Sequence, residues 1–184
     1  MIVDGRAWRD RSRTTVEVMK DLYSAMREGA GEDVVIIGCN AINHLAAGLF
    51  EVQRTGNDTS GRRWEQTRKY GVNALGMRAI QNGTFFQADP DCVGLAAAGA
   101  IAWKNNSDWA EAVSRSGQSL FISWRDSLMD ERVRDAFRRA FRAASRPQAN
   151  GEPLDWERNS LPGAWRYDDG KTSFDWSEVR PDNN

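Results

Sequence analysis

Charged loop residues are the groups in this sequence best suited to chemistry. Arg54 and Asp58 stand four residues apart in the segment RTGND, and Asp89 and Asp91 flank Pro90 in the segment QADPDC. A carboxylate with an arginine four residues before it can be positioned by that charge. Asp89 and Asp91 either contact a bound substrate or stabilise the turn around Pro90 with their side chains. The three aspartates are therefore the candidate catalytic groups.

Other residues could line the same pocket. Asn40 and His44 follow the apolar segment VVIIG, at the strand end where the sites of α/β folds are built. His44, the single histidine, is either a ligand contact or a core or capping residue. Trp64 follows the Asp58 loop and either forms a wall of the pocket or packs on a sheet. Phe86, on the second loop, is another candidate wall.

Alternating strands and helices must position these loops. Residues 34–38 are a short β-branched run typical of a strand buried on both faces, and a helix starting at Thr14 or Thr15 and ending at Gly29 precedes it. Further helices are predicted at 41–49, 62–69, 108–115 and 130–144, strands at 72–78 and 119–124, and loops at 50–61 and 83–93. Successive βα units favour a parallel sheet.

About four such units fit in the chain, whereas a closed (β/α)8 barrel needs eight. The expected fold is α/β, with half of a (β/α)8 TIM barrel over residues 1–146. In the tail, residues 147–184, Asp169-Gly170 can turn a short β-hairpin that packs on the same domain. The open edges and apolar interior of a half-barrel predict a homodimer that buries them.

Three motifs in the same order resemble the melibiase-type (α-galactosidase-like) glycoside hydrolases, over residues 13–126. They are Cys39-Asn40 with the segment 54–58, the segment GTFFQADPDC at 83–92, and LFIS at 120–123. The match is to the C-terminal half of that family's (β/α) barrel. It implies that Asp58 is the general acid/base and that Arg54 contacts the substrate. Asn40, His44, Trp64 and Phe86 are the further expected sugar contacts.

The resemblance implies a retaining exo-glycosidase for small galactosides or related sugars, without a cofactor. Its two carboxyl groups would stand about 5–5.5 Å apart, in apolar surroundings supplied by Phe85, Phe86 and Trp64. The family's nucleophile lies on strands upstream of the matched region, so the second carboxylate is expected from Asp89, Asp91 or a partner chain. The alternatives are a non-catalytic carbohydrate-binding half-barrel and a fragment of a longer glycosidase.

Composition limits the partners. The formal net charge of the 184 residues is −1, which provides no general attraction for nucleic acid or anionic membranes. No apolar run resembles a signal peptide or a membrane span, and if Met1 is the true start a cytoplasmic protein is expected. Cys39 and Cys92 lack metal-ligand spacing and suit reduced thiols in that compartment.

Overall fold

The chain forms six short to medium helices and eight short strands in the residues that the computed structural model describes, 8–59, 61–96 and 101–179. That description leaves out three segments of the predicted 1–146 domain, which are residues 1–7, 60 and 97–100. It also leaves out residues 180–184 of the tail. The helices are α1 (Thr15–Ala30), α2 (Asn43–Ala46), α3 (Trp64–Gln66), α4 (Asn73–Met77), α5 (Trp103–Arg115) and α6 (Glu131–Ala144). The strands are β1 (Ile37–Gly38), β2 (Val52–Arg54), β3 (Gln87–Asp89), β4 (Val93–Ala96), β5 (Ile122–Trp124), β6 (Glu152–Pro153), β7 (Ala164–Tyr167) and β8 (Gly170–Ser173).

The two long amphipathic helices begin at polar caps. At α1, the Thr14 hydroxyl accepts a bond from the Glu17 amide while Glu17 accepts one from the Thr14 amide, which is a capping box. At α6, the Asp130 carboxylate accepts a bond of 2.8 Å from the Val133 amide. These local signals confirm the helices predicted near Thr15 and Asp130.

A parallel sheet of three strands, in the order β1-β2-β3, lies in the first half of the chain. Its register pairs Gly38 with Gln53 and Arg54 with Asp89. Strands β4 and β5 form a second parallel pair, and β6, β7 and β8 form an antiparallel sheet. The predicted hairpin is present, with Tyr167 opposite Gly170.

The prediction of half a (β/α)8 barrel is wrong. Within the described residues the strands are only two to four residues long and lie in three separate small sheets, one of them antiparallel, with no repeated barrel unit. Residues 72–78, predicted as a strand, are mainly helical, because a π-helical segment (Thr67–Val72) joins α3 to α4. Strands β2 and β3 instead lie in segments predicted to be loops.

Two separate apolar cores hold these elements. The larger core joins Trp109 and Val113 of α5 to aromatic residues of the C-terminal sheet and tail, among them Trp165 and Trp176. The smaller core packs Tyr23 of α1 against Phe50 and the helix α2. Among the helices of the described residues, none has the length and apolarity that crossing a membrane requires.

Candidate functional site

The candidate site lies where the three parallel strands of the first sheet end. Asn40 comes two residues after β1, Arg54 is the last residue of β2, and Asp89 is the last residue of β3. The register places Arg54 directly beside Asp89, and the Thr55 amide donates a 2.8 Å bond to the Asp89 carbonyl. Parallel strands bring their carboxyl ends to the same edge of a sheet, which explains why residues far apart in sequence meet there.

Arg54 is the centre of this cluster. Its Nη1 lies 2.6 Å from Asp58 Oδ1 and 3.8 Å from Asp91 Oδ1, and its Nη2 donates a 3.0 Å bond to Asn40 Oδ1. The Arg54 side chain is 13% exposed, whereas that of Asp58 is 68% exposed. A planar guanidinium fixes the directions of the groups bonded to it. Arg54 therefore fixes the orientation of the Asp58 side chain, while the Asp58 carboxylate remains accessible to solvent.

Two members of the cluster have backbone conformations that side chains rarely adopt. Among the described residues, Asn40 (φ 58°) and Asp91 (φ 82°) are the non-glycine residues with positive φ. The amide of Asp91 donates a 2.8 Å bond to Asp89 Oδ1, which stabilises the turn at that residue. Each such conformation costs about 1–3 kcal/mol and is retained where the surrounding structure enforces it. Both strained residues contact Arg54, so the strain is concentrated at the site.

The loop that carries Asp58 is fixed by bonds on both sides of that residue. Gln66 donates a 2.7 Å bond from Nε2 to the Asp58 carbonyl. The amide of Thr59 donates a 2.5 Å bond to Asp91 Oδ2, and the Thr59 hydroxyl donates a 2.8 Å bond to the Cys92 carbonyl. The backbone at Asp58 is thus anchored to the second loop, while its carboxylate stays exposed.

Close packing at Gly56 also sets the position of this loop. A Cβ atom at Gly56 would lie 3.0 Å from the Tyr70 carbonyl oxygen and 3.1 Å from the Pro90 carbonyl oxygen. Tyr70 belongs to the π-helical segment, and π-helical turns are frequent beside functional sites. Glycine therefore allows the loop to lie directly between the helix and the Asp89–Asp91 turn.

Asp89 is the carboxylate with the most altered acidity. Burial raises its pKa to about 6, and the bond from the Asp91 amide only partly opposes this effect. The residue is 6% exposed, so a substrate cannot reach it directly. Asp89 instead stabilises the turn that positions Asp91, because its carboxylate accepts the bond from the Asp91 amide. Burial lowers the pKa of Arg54, but Cys39, Asp91 and Asp58 outweigh this effect, so its pKa is raised. The guanidinium therefore stays charged, as arginine side chains in proteins do.

The structure brings together Asn40, Arg54, Asp58, Asp89 and Asp91, but it places the other expected contacts elsewhere. Those contacts are His44, Trp64 and Phe86.

Trp64 is a core residue, 3% exposed, whose indole donates a 2.9 Å bond to the Trp176 carbonyl. Phe86 is also buried, one residue before β3. It is therefore about 10 Å from Asp89 along the strand. His44 is exposed on α2 and makes none of the described contacts to Arg54. The expectation that Trp64 and Phe86 wall the site is thus not met, because apolar side chains next to a loop pack into the nearest core.

Sequence reasoning missed Thr59, Gln66 and Gly56. Thr59 is fully buried, although threonine is an ordinary loop residue. Gln66 lies eight residues after Asp58 on a helix whose exposed face is polar, so nothing in its spacing distinguishes it. Gly56 lies in the segment 50–61, for which the sequence predicted only a loop. Thr59 and Gly56 act through contacts that form only after the second loop folds against the first, whereas Gln66 acts through its bond to the Asp58 carbonyl.

In the ranges that the structure describes, no group of three or more histidine, cysteine, aspartate or glutamate side chains is arranged to hold a metal ion. The cation within the cluster is the guanidinium of Arg54. Comparison with known proteins adds no identification, because no protein-family model matches the chain and no curated protein matches it.

Proposed function

We propose that this chain carries the acid/base site of a glycoside hydrolase that acts on small galactosides or related sugars. The observation that carries the proposal is the cluster in which Arg54 binds Asp58 and Asn40 and approaches Asp91 at the strand ends. The three motifs that resemble melibiase-type enzymes support it, because two of them supply the residues of this cluster. A dense set of carboxylate and amide oxygens suits hydrogen bonding to sugar hydroxyls.

The separation of the carboxylates supports a retaining reaction. Asp58 Oδ1 and Asp91 Oδ1 lie 2.6 and 3.8 Å from the same Nη1 atom, so they are at most about 6.4 Å apart, whereas the two carboxyl groups of inverting enzymes stand about 6.5–9.5 Å apart. Asp58 is the exposed member and acts as the proton donor. Asp91 is the second carboxylate, in preference to the more deeply buried Asp89.

The proposed reaction has two steps. Asp91 attacks the anomeric carbon while Asp58 transfers its proton to the departing glycosidic oxygen, which leaves as an alcohol. Asp58 then takes a proton from water as that water attacks the glycosyl ester, which frees the sugar and restores Asp91 as a carboxylate. Asn40 and Arg54 orient the substrate and Asp58. The chemistry requires no cofactor, and a cytoplasmic location with free Cys39 and Cys92 belongs to the same proposal.

A second candidate function is carbohydrate binding without turnover. The observation that favours it is the open position of Asp58, whose carboxylate is paired with Arg54 and 68% exposed, without Trp64 or Phe86 beside it. A proton donor in a glycosidase usually has apolar surroundings. The open cluster could hold sugar hydroxyls through ionised carboxylates and the Asn40 amide without transferring a proton.

Two galactosides with different leaving groups separate these functions. We expect the wild-type chain to release nitrophenol from nitrophenyl galactoside and galactose from a galactosyl disaccharide. In Asp58→Asn, hydrolysis of the disaccharide should fall by about 10²–10⁴-fold, and that of the nitrophenyl substrate by less, because nitrophenolate leaves without protonation. Asp33→Asn, at an exposed loop aspartate outside the cluster, is the control and should retain full activity.

The measurements also identify the failure of each idea. Calorimetric binding of galactose by a chain that hydrolyses neither substrate would select the binding function. Equal activity in wild type and Asp58→Asn would exclude Asp58 as the acid/base. A chain that neither binds nor hydrolyses a panel of glycosides contradicts both functions.

A further inference from the structure

The segment that follows the Asp58 loop is strongly basic. Residues 61–73, which we call the basic segment, contain four cationic side chains and one acidic side chain. The acidic residue, Glu65, is paired with Arg68. The other three cations are exposed and have no ion pair among the described residues; they are Arg62, Arg63 and Lys69. An excess of three positive charges, four less one, therefore lies next to the proposed site.

Two hydrogen bonds connect Arg63 of the basic segment to Asp58. Arg63 Nη2 donates a 3.1 Å bond to Gln66 Oε1, and Gln66 Nε2 donates a 2.7 Å bond to the Asp58 carbonyl. One amide group, whose two covalent bonds add at most about 2.6 Å, joins the two hydrogen bonds. The Arg63 nitrogen therefore lies at most about 8.4 Å from the Asp58 carbonyl oxygen. The Arg63 carbonyl accepts a 3.2 Å bond from the Thr67 amide, which fixes the Arg63 backbone at the start of α3.

The two sides of the proposed site differ in charge. In the proposed reaction the leaving group departs beside Asp58, whereas the sugar that is transferred lies against Asp91. The turn that carries Asp91 also carries Asp89 and is acidic, whereas the basic segment borders Asp58 through Gln66. Charges of one sign that line part of a site favour ligand groups of the opposite sign there. This distribution therefore favours an anionic leaving group on the Asp58 side.

We infer that the substrate is a glycoside whose leaving group carries a carboxylate or a phosphate, and that Arg63 binds this anion. The inference rests on the proposed function, because it uses Asp58 as the acid/base. A guanidinium presents parallel N–H donors that match two oxygen atoms of a carboxylate or a phosphate. The bond to Gln66 uses Nη2, and none of the described residues accepts a hydrogen bond from Nε or Nη1 of Arg63. Those donors are therefore available to a ligand, and Arg62 next to them adds a second positive charge.

Three galactosyl disaccharides with the same linkage test this inference. Their second sugar is glucose, glucuronic acid or glucose 6-phosphate, so they differ only at carbon 6 of that sugar. We expect the wild-type chain to hydrolyse the two acidic disaccharides with a kcat/KM about 2–10-fold above that of the neutral one. The gain should lie mainly in KM, because the anion is bound equally in the ground state and the transition state. The acidic disaccharide with the larger gain identifies the anion, and added salt should reduce the preference by screening.

A matched pair of variants tests the role of Arg63. Arg63→Gln removes the charge but keeps an N–H donor for Gln66, and it should bring the ratio of acidic to neutral kcat/KM close to one. Arg142→Gln removes the same charge from the exposed side of α6 and should keep the wild-type ratio. Circular dichroism shows whether each variant is folded. Calorimetry with the same disaccharides measures the preference as binding, without turnover.

The outcomes separate this inference from the proposed function. Hydrolysis of all three disaccharides without a preference overturns the anionic substrate alone. So does a preference that folded Arg63→Gln retains or that Arg142→Gln reduces equally. Tighter binding of an acidic disaccharide that depends on Arg63, without hydrolysis of any, supports the anion contact and contradicts the glycosidase. A chain that neither binds nor hydrolyses the three disaccharides overturns both.

Discussion

The raised pKa of Asp89 predicts an unusual dependence of stability on pH. Burial raises this pKa from an ordinary value of 3.8 to about 6, so the folded chain binds a proton at Asp89 more tightly than the unfolded chain does. Ionisation of Asp89 should therefore lower the free energy of unfolding as the pH rises from about 4 to about 6. Above that range the ionised carboxylate is destabilising, and below it the effect is absent.

The size of the effect follows from the pKa difference. One pKa unit corresponds to about 1.4 kcal/mol, so full ionisation of Asp89 costs at most about 3 kcal/mol of folding free energy. We expect Asp89→Asn to increase the free energy of unfolding at pH 7 by about 1–3 kcal/mol and to leave it nearly unchanged at pH 4. Asparagine retains the oxygen that accepts the 2.8 Å bond from the Asp91 amide, so the turn is preserved.

Urea unfolding at pH values from 4 to 8 measures this difference, if the transition is two-state. Asp155→Asn is the control with the opposite sign. Burial opposes ionisation of Asp155, but bonds from the Asn159 side chain and the amides of Gly163 and Ala164 outweigh it and lower its pKa. That carboxylate stabilises the fold above its unfolded pKa, and the stabilisation is lost as pH falls through its folded pKa.

The reasoning would be refuted if Asp89→Asn were less stable than wild type at pH 7 while remaining equal to it at pH 4. That result would mean that ionised Asp89 stabilises the turn. A constant difference at all pH values would show instead that the substitution acts by packing or hydrogen bonding and not through titration.

Two further substitutions test the packing of the Asp58 loop and of the larger core, and a third, in α1, is a control. Gly56→Ala should destabilise the fold by about 1–3 kcal/mol in thermal unfolding, because its Cβ would meet the carbonyls of Tyr70 and Pro90. Gly29→Ala, with open space around it in α1, should instead be neutral or stabilising by up to about 1 kcal/mol, and an equal loss in both variants would contradict this account. Trp64→Phe removes the bond from the indole to the Trp176 carbonyl, so it should lower the free energy of unfolding by about 1–3 kcal/mol and leave the sugar affinity unchanged. Weaker sugar binding without a loss of stability would show instead that Trp64 contacts the sugar.

Helices α1 and α6 could be predicted because their signals are local. A capping residue, an apolar row and a polar face all lie within about 15 residues, and the structure has the same caps at Thr14 and Asp130. Strands β2 and β3 could not be predicted in this way. Strand β2 contains a half-buried valine, a fully buried glutamine and an arginine, so its sequence lacks the apolar alternation of a strand. Its strand geometry depends on hydrogen bonds to β1 and β3.

The same distinction between local and long-range signals explains which parts of the site were predictable. Arg54 and Asp58 are four residues apart, and that spacing alone suggested their contact, which the structure shows at 2.6 Å. The approach of Asp91 to Arg54 depends on the pairing of β2 with β3, which the sequence did not reveal. Because β3 ends at Asp89, the chain must turn sharply to bring Asp91 back to Arg54, and the positive φ of Asp91 provides that turn. The positive φ of Asp91 is thus the backbone conformation that places a second carboxylate beside Arg54.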